Sequence, residues 1–181
     1  VEVSDGVNTA TQALTINVTN VNEFSPVISS LASSVSVEEN QTAVVTVSAS
    51  DVEGDSLTFS LTGTDASSLS ISSSGVITFS SAPDYETKTS YSVTVNVSDG
   101  VNTTAQALTI NISNLNDNNP AISSSATFSA AENQTAVDTV SASDADGGTL
   151  TYSLSGTDAA SFSISSSGVI TFSSAPDYET K

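Results

Sequence analysis

The chain has 181 residues, with 20 acidic side chains against two basic ones, Lys88 and Lys181, and a formal net charge of -18. This deficit of basic residues excludes binding to nucleic acid and to anionic membrane surfaces, because both depend on Lys and Arg. The sequence has no His and no Cys, which excludes zinc fingers, haem ligation, thiol nucleophiles and Ser–His pairs. Any bound metal must therefore be a hard cation, calcium or magnesium, held by oxygen ligands.

The sequence repeats itself. Residues 1–26 return at 95–120 with an offset of 94, and residues 72–88 return unchanged at 165–181 with an offset of 93. A unit of this length is too long for a solenoid turn and is typical of a small domain. We therefore predict three parts: residues 1–25 as the C-terminal strands of a preceding copy, 26–119 as a complete copy, and 120–181 as a copy that lacks its last two strands.

Apolar and polar residues alternate along the complete copy, which indicates half-buried strands with one solvated face. In chain order, we predict strands near residues 34–38, 42–50, 57–62, 68–72, 75–80, 91–98 and 104–114. Seven short strands without helical periodicity predict an all-β fold, in which each complete copy is a seven-stranded Greek-key β-sandwich.

Carboxylates recur at the ends of the predicted strands. Two carboxylates separated by one residue lie on the same side of an extended chain and can face one cation. Such pairs are Asp51 with Glu53, Asp84 with Glu86, Asp144 with Asp146, and Asp177 with Glu179; single acidic residues at recurring positions are Asp5, Glu23, Glu39, Asp99, Asp117 and Glu132. Acidic residues are also common in solvated turns. Their joint recurrence nevertheless favours cation sites, because crowded like charges repel unless a cation neutralises them.

Five motifs in this order resemble those of a cadherin repeat of the Ser/Thr-rich kind found in large bacterial surface proteins. They are VSVEEN, SASDVEGD, APDYET, VNVSDG and NISNLNDNNP. The resemblance covers essentially the whole chain. It implies tandem Greek-key sandwiches of the cadherin and immunoglobulin type, arranged in an extended rod, with calcium ions bound at each junction between successive repeats.

The resemblance assigns calcium ligands at two junctions. At the second junction they are Glu39, Asp84, Glu86, Asn116, Asp117, Asn118, Asp144 and Asp146, and at the first they are Asn22, Glu23, Asp51, Glu53 and Asp99. The chain departs from the family pattern in the connectors, which open with Asn20 and Asn114 in place of Asp, and at Glu53, where the family has Asp. These differences change the charge and reach of each ligand set.

Other readings of the same residues are weaker. An EF-hand loop needs Glu at its twelfth position, but that position is Thr62 counted from Asp51 and Ser155 counted from Asp144. A carboxylate-pair hydrolase is disfavoured because the strongest pairs recur once per repeat, and we expect no enzymatic activity. A carbohydrate-binding module remains an alternative, with Phe24 as the candidate for an exposed aromatic ring.

The sequence therefore predicts a calcium-rigidified spacer or adhesion segment of a large extracellular or cell-surface protein. The alternative is a calcium-dependent carbohydrate-binding or homophilic adhesion module. Expected partners are calcium ions, neighbouring repeats of the same chain, and homophilic or glycan contacts. No apolar run approaches the ~20 residues of a membrane span, so we expect this segment not to insert into the membrane with which the parent protein is associated.

Overall fold

The computed structural model describes residues 1–180, and they form the all-β fold that the alternating sequence predicts. The strands are β1 (Glu2–Ser4), β2 (Thr9–Thr11), β3 (Val27–Ser30), β4 (Ser34–Glu38), β5 (Ala43–Thr46), β6 (Ser48–Ser50), β7 (Thr58–Thr62), β8 (Leu69–Ile71), β9 (Val76–Phe79), β10 (Ser90–Ser98), β11 (Thr103–Ser113), β12 (Ala121–Ile122), β13 (Ala136–Thr139), β14 (Ala142–Ser143), β15 (Phe162–Ile164) and β16 (Val169–Phe172). Two 3₁₀ turns cover Ala66–Ser68 and Ala159–Ser161. Among residues 1–180, no helix has the length and apolar character needed to span a membrane.

The described chain divides into two compact units. The first comprises residues 1–35, 42–81 and 91–110, and the second comprises 36–41, 82–90 and the residues from 111 onward. These units are defined by contacts in space, whereas the repeat boundaries predicted above are defined by repeated sequence. The units therefore do not test those boundaries, which stay a prediction.

The strands of the complete copy pair as the ladders of a β-sandwich, and β7 with β10, β3 with β6, β5 with β9 and β8 with β9 are antiparallel pairs. One sheet has the order β4-β11-β10-β7, and the remaining strands pair as β3-β6 and as β5-β9-β8. Six of the seven strands expected from the alternation are present close to their predicted bounds, and the seventh, predicted over 42–50, is divided into β5 and β6. The short strand β3 was not expected. It has only four residues, VISS, which are too few to show an alternation of apolar and polar residues.

The strand predicted over 42–50 is interrupted at Val47. Residues before it, in β5, pair with β9, whereas residues after it, in β6, pair with β3. At the break, the Val47 amide donates a hydrogen bond to the Gly75 carbonyl over 2.8 Å. Gly75 has φ +80, and a Cβ there would collide with the Val47 carbonyl oxygen. A glycine is therefore required where the strand changes its partner.

The buried apolar core lies within the complete copy. Its members are Val37, Val47, Leu69, Ile77, Phe79, Val93, Val95, Val97, Leu108, Ile110 and Ile112. Each full burial of such a side chain contributes about 1.5–3 kcal/mol of transfer free energy. The Phe79 ring also meets the Tyr91 ring edge-on, with 4.9 Å between the ring centroids. The alternating sequence thus folds because one face of each strand removes its apolar side chains from water.

The last copy forms fewer strands. In it, β12 pairs with β14, and β13 and β15 pair with β16. Residues 151–155, the counterpart of β7, form no strand. The partner of β7 in the complete copy is β10, and the described residues after β16 contain no counterpart of β10. Without that partner, the ladder hydrogen bonds that would hold residues 151–155 extended are missing.

Candidate metal site

Glu39 anchors the predicted second junction, which lies within the second unit. It directly follows β4 and is only 3% exposed. Its two carboxylate oxygens accept hydrogen bonds from the backbone amides of Tyr85 and Leu115, each over 2.7 Å. These charge-assisted bonds compensate the burial of the carboxylate. Glu39 thereby joins the turn that contains Tyr85 to the connector that begins after β11.

The turn at residues 84–87 presents two carboxylates beside Glu39. Asp84 accepts hydrogen bonds from the Thr87 hydroxyl over 2.9 Å and from the Glu86 amide over 3.0 Å. These hydrogen bonds hold the pKa of Asp84 below its usual value, and the bond from the Thr87 side chain has the largest effect. Glu39, Asp84 and Glu86 each offer a carboxylate oxygen, and these oxygens lie within 4.8 Å of one another.

Glu86 is also a member of a second acidic group, with Asp117 and Asp146, whose carboxylate oxygens again lie within 4.8 Å of one another. Burial, followed by the charges of Glu39 and Asp146, raises the pKa of Glu86 despite an opposing backbone hydrogen bond. An elevated carboxyl pKa means that the surroundings disfavour its negative charge. The five carboxylates thus form one continuous acidic cluster through Glu86.

Asn118 positions Asp146 in this cluster. Its backbone amide donates to one carboxylate oxygen of Asp146 over 2.8 Å, and its side-chain amide donates to the other over 2.9 Å. These bonds, the side-chain bond first, lower the pKa of Asp146 and keep it ionised. Asp117 in turn contacts the side-chain amide of Asn40. A cavity of about 210 Å³ is lined by Glu39, Asn40, Asp84, Glu86, Asp117, Asn118 and Ala145.

The predicted first junction lies within the first unit and is arranged differently. Glu53 accepts hydrogen bonds from the backbone amides of Glu23 and Phe24 over 2.9 and 3.0 Å. Asp51 accepts from the Glu53 amide over 2.8 Å through one oxygen. Its other oxygen, and one oxygen of Asp55, are buried without a hydrogen-bond partner. Asp51, Glu53 and Asp55 bring carboxylate oxygens within 4.8 Å of one another.

Asp55 was not among the ligands assigned from the sequence. Burial, then the charges of Asp51, Glu53 and Asp99, raise its pKa. Its counterpart in the last copy is Gly148, so the recurrence that singled out other acidic residues gave no signal here. The feature of the sequence that could have identified Asp55 as a ligand is its position four residues after Asp51. In the structure, the Gly54 amide donates a hydrogen bond to the Asp51 carbonyl and closes the turn between the two carboxylates.

Asp99 lies in the hairpin between β10 and β11 and is 9% exposed. It accepts the amides of Val101 and Asn102 over 2.7 and 2.6 Å. Burial acts to raise the Asp99 pKa, but these hydrogen bonds outweigh it and lower the pKa. The Asn102 side chain also donates to the Asn22 side chain over 3.2 Å and to the Phe24 carbonyl over 3.1 Å. The hairpin is thus tied to the connector at residues 22–24.

The remaining predicted ligands lie at the edges of these groups. Asp144 is half-buried and accepts the Asp146 amide over 2.9 Å, but it belongs to neither acidic group. Asn116 is exposed, and its side-chain nitrogen would lie 4.0 Å from a Cβ placed on Gly148. A fourth group, Glu132 with Asp177 and Glu179, reproduces the group of Glu39, Asp84 and Glu86 at an offset of 93, although all of its members are exposed. The Tyr178 amide donates to Glu132 over 3.1 Å, as Tyr85 does to Glu39.

The donor chemistry of these groups suits a hard divalent cation. Every side chain in the clusters offers oxygen, and calcium takes six to eight oxygens, several of them carboxylates, at about 2.3–2.6 Å. The buried, unpartnered oxygens of Asp51 and Asp55 are the kind of acceptor that such an ion would satisfy. The two basic residues of the sequence cannot neutralise 20 acidic ones.

A known sequence family and several solved structures are similar to this chain. The family described as "Bacterial Ig domain" matches residues 22–113, just over half of the chain. No curated protein matches the sequence. Human protocadherin-24 EC1-2 is similar in structure, with a TM-score of 0.72, 24% identity, and coverage of 87% of this chain and 81% of that one.

Two further solved structures share the fold. Mouse cadherin-23 EC22-24 has a TM-score of 0.71 and 25% identity, over 85% of this chain and 55% of that one. Drosophila N-cadherin EC1-4 has a TM-score of 0.70 and 21% identity, over 88% of this chain and 43% of that one. The fold is therefore that of a cadherin-like repeat.

Proposed function

Because the chain belongs to the bacterial Ig domain family and has a cadherin-like adhesion fold, we propose that it is a calcium-binding spacer or adhesion segment of a large extracellular or cell-surface protein. The single observation that carries the proposal is the acidic cluster of Glu39, Asp84, Glu86, Asp117 and Asp146. Such a fold serves adhesion rather than catalysis, and we infer no enzymatic role for the chain.

The cluster gathers carboxylates from widely separated parts of the sequence. Glu39, Asp84 and Glu86 belong to the copy at 26–119, Asp117 to the connector, and Asp146 to the copy at 120–181. Without a cation, these negative charges repel one another and oppose the closure of the cluster. A bound calcium ion supplies the compensating charge, and the same residues, with Asn116, Asn118 and Asp144, would hold it. In this mechanism, cation binding fixes two sequence repeats to each other and stiffens the connector between them.

At the first junction, Asp51, Glu53 and Asp99 would act with oxygens of Asn22 and Glu23, and Asp55 adds a carboxylate that the last copy replaces with Gly148. We infer that the two junctions differ in affinity, because calcium affinity depends on the number of charged ligands and on the rigidity of the site. Extracellular modules bind calcium at about 10⁻⁴–10⁻³ M, which suits a protein that functions outside the cell.

A second candidate function is supported by one exposed ring. Phe24 is 55% exposed, while its backbone is fixed by Glu53 and Asn102. An exposed aromatic ring on a fixed backbone, beside a candidate cation site, is suited to stack on a sugar. Glycan binding that requires calcium and is lost in Phe24→Ala would support this candidate. An unchanged glycan profile in that variant would dismiss it.

Calorimetric titration with calcium tests the main proposal, with two variants that carry the same chemical change. Glu86 belongs to both acidic groups, and its side chain accepts a long hydrogen bond of 3.4 Å from Asn118. Glu86→Gln should therefore leave the fold intact and weaken calcium binding about tenfold or more, through loss of ligand charge. Glu38→Gln is the control, because Glu38 is exposed and lies outside every acidic group. Equal affinities in the two variants would contradict the site, and an absence of measurable calcium uptake by the unmodified chain would contradict the function.

A further inference from the structure

Asp146, a member of the acidic cluster, is followed by two exposed glycines, Gly147 and Gly148. Gly147 has φ +76, and a Cβ placed on it would meet no atom within 4 Å. The backbone after Asp146 therefore has the conformational freedom of glycine and open space around it. When glycine follows aspartate, its backbone nitrogen reaches the aspartate carboxyl carbon with the least hindrance, because glycine has no side chain. The pair Asp146–Gly147 is therefore chemically suited to an intramolecular rearrangement.

The rearrangement has two balanced steps. In the first, the Gly147 nitrogen forms a bond to Asp146 Cγ and a Cγ–O bond breaks, which closes a five-membered succinimide ring. The oxygen leaves as water, with the Gly147 amide proton and a proton from solvent. In the second, water opens the ring at one of its two carbonyl carbons. Attack at Cγ restores aspartate, whereas attack at the main-chain carbonyl carbon of Asp146 gives isoaspartate, in which the chain runs through Cγ.

The sequence contains two other Asp–Gly pairs, at Asp5 and Asp99, and each is held within its own hairpin. One oxygen of Asp99 accepts two backbone amides of the hairpin, over 2.7 and 2.6 Å, and the Gly100 amide donates to the Ser98 hydroxyl over 3.1 Å. The corresponding hydrogen bonds at Asp5 measure 2.9, 2.6 and 3.2 Å. Both the carboxylate and the attacking nitrogen are thus fixed by near neighbours in sequence, so the hairpin must open before the ring can form.

Asp146 is held from a distant part of the sequence instead. Asn118, which lies in the connector 28 residues earlier, donates to both of its oxygens, through the backbone amide over 2.8 Å and through the side-chain amide over 2.9 Å. The Gly147 amide donates to the Asp144 carbonyl over 3.2 Å. When the connector moves away, the Asp146 carboxylate loses both bonds from Asn118. Its freedom to react therefore depends on whether the acidic cluster is closed.

The complete copy provides an internal reference for this reaction. At the place of Asp146–Gly147 it has Glu53–Gly54, and Gly54 has φ +80 with open space around it. The same attack on a glutamate would close a six-membered ring, which forms far more slowly from a peptide than the five-membered ring does. The loop of the first junction thus has a similar glycine conformation without the reactive pair.

We propose that Asp146–Gly147 is a site of spontaneous isomerisation to isoaspartate, and that closure of the acidic cluster protects it. Isoaspartate adds one methylene to the main chain and attaches the carboxylate directly to Cα. Its oxygens then no longer reach the positions that Asn118 fixes, and the cluster loses a carboxylate. The modification marks junctions that have stayed open for long periods. Protection by calcium rests on the proposed function, whereas the isomerisation itself does not.

The 181-residue chain is incubated at neutral pH with calcium or with chelator, and isoaspartate at each Asp–Gly pair is quantified by proteolysis and fragmentation mass spectrometry. With chelator, isoaspartate should form at Asp146 about tenfold or more faster than at Asp99, because Asp99 must first break charge-assisted hydrogen bonds within its hairpin. Calcium should slow the reaction at Asp146 and leave Asp99 unchanged. Equal rates at Asp146 and Asp99 in the presence of chelator would overturn the proposal.

Three variants test the structural basis. Asn118→Ala removes a hydrogen bond to the Asp146 carboxylate and should raise its rate of isomerisation about tenfold with chelator present; an unchanged rate at Asp99 excludes general unfolding as the cause. Asp146→Glu should abolish the reaction at the second junction, and Glu53→Asp should introduce it at the first. No acceleration in Asn118→Ala, or no gain of isoaspartate in Glu53→Asp, would contradict the proposal.

The calcium arm separates this proposal from the proposed function. If the three variants behave as expected while calcium leaves the rate at Asp146 unchanged, the modification site stands and calcium binding by the acidic cluster is refuted. If calcium binds in calorimetry but Asp146 does not isomerise with chelator, the proposed function stands and the modification site is refuted.

Discussion

Ile77 and Ile170 provide a matched test of how far burial determines stability in this fold. They occupy the same place in a 17-residue stretch that is identical at 72–88 and 165–181. Both lie in a central strand that pairs on either side, β9 with β5 and β8, and β16 with β13 and β15. Ile77 is 0% exposed, whereas Ile170 is half-buried and lines an open cleft. The local sequence and pairing are thus constant, and only the covering layer differs.

We expect Ile77→Ala to lower the free energy of unfolding of the first unit by about 3–4 kcal/mol. This is the loss of buried apolar surface plus the energy of a closed cavity, within the ~2–5 kcal/mol range for such substitutions. Ile170→Ala should lower the free energy of unfolding of the second unit by only about 1–2 kcal/mol, because less surface is lost and solvent enters the vacancy instead of leaving a closed cavity.

Urea unfolding followed by far-ultraviolet circular dichroism and by tyrosine fluorescence measures both changes, since the chain has four Tyr and no Trp. Each variant is compared with the unmodified chain by linear extrapolation of its urea unfolding curve. If Ile170→Ala destabilised its unit as strongly as Ile77→Ala destabilises the other, the argument from burial would be wrong.

Gly75→Ala should destabilise the chain by about 3 kcal/mol or more, because φ is positive and the new Cβ would meet the Val47 carbonyl. Gly100→Ala, at φ +97 with open space around it, should destabilise by only about 1–2 kcal/mol, and a thermal unfolding experiment that ranks the two alike would contradict the assigned role of Gly75. Chelation of calcium should lower the maximum dimension of the chain in small-angle X-ray scattering, or broaden its distribution, because the repelling carboxylates release the connector. Identical scattering profiles with and without chelator would refute the stiffening mechanism.

The alternation of apolar and polar residues was sufficient to predict the strands that bury one full face. β10 and β11 carry three buried apolar residues each on alternate positions, so the period of two is clear in the sequence. The interruption at Val47 could not be predicted, because the alternation continues through it while the partner strand changes. That change depends on Gly75, which is 28 positions away in the sequence.

The candidate site was predictable where acidic residues recur between copies, and not where they do not. Glu39, Asp84 and Glu86 recur as Glu132, Asp177 and Glu179, and both sets come together in space. Asp55 does not recur, so it was missed although it lies within 4.8 Å of the Asp51 and Glu53 carboxylates. The role of Asn118 in fixing Asp146 depends on a backbone amide, and the direction of an amide in a connector is set by folding and cannot be read from residue type.

Glu39 has a consequence for how quickly the cluster can respond to its ion. Both of its oxygens already accept backbone amides, which hold the turn at Tyr85 and the start of the connector at Leu115 in place. The conformational entropy of ordering these two loops is therefore lost during folding and not during ion uptake. An incoming cation therefore meets these two loops already ordered, and only the remainder of the cluster, which the repelling carboxylates hold open, has to close around it. A segment built in this way could follow changes in external calcium without refolding.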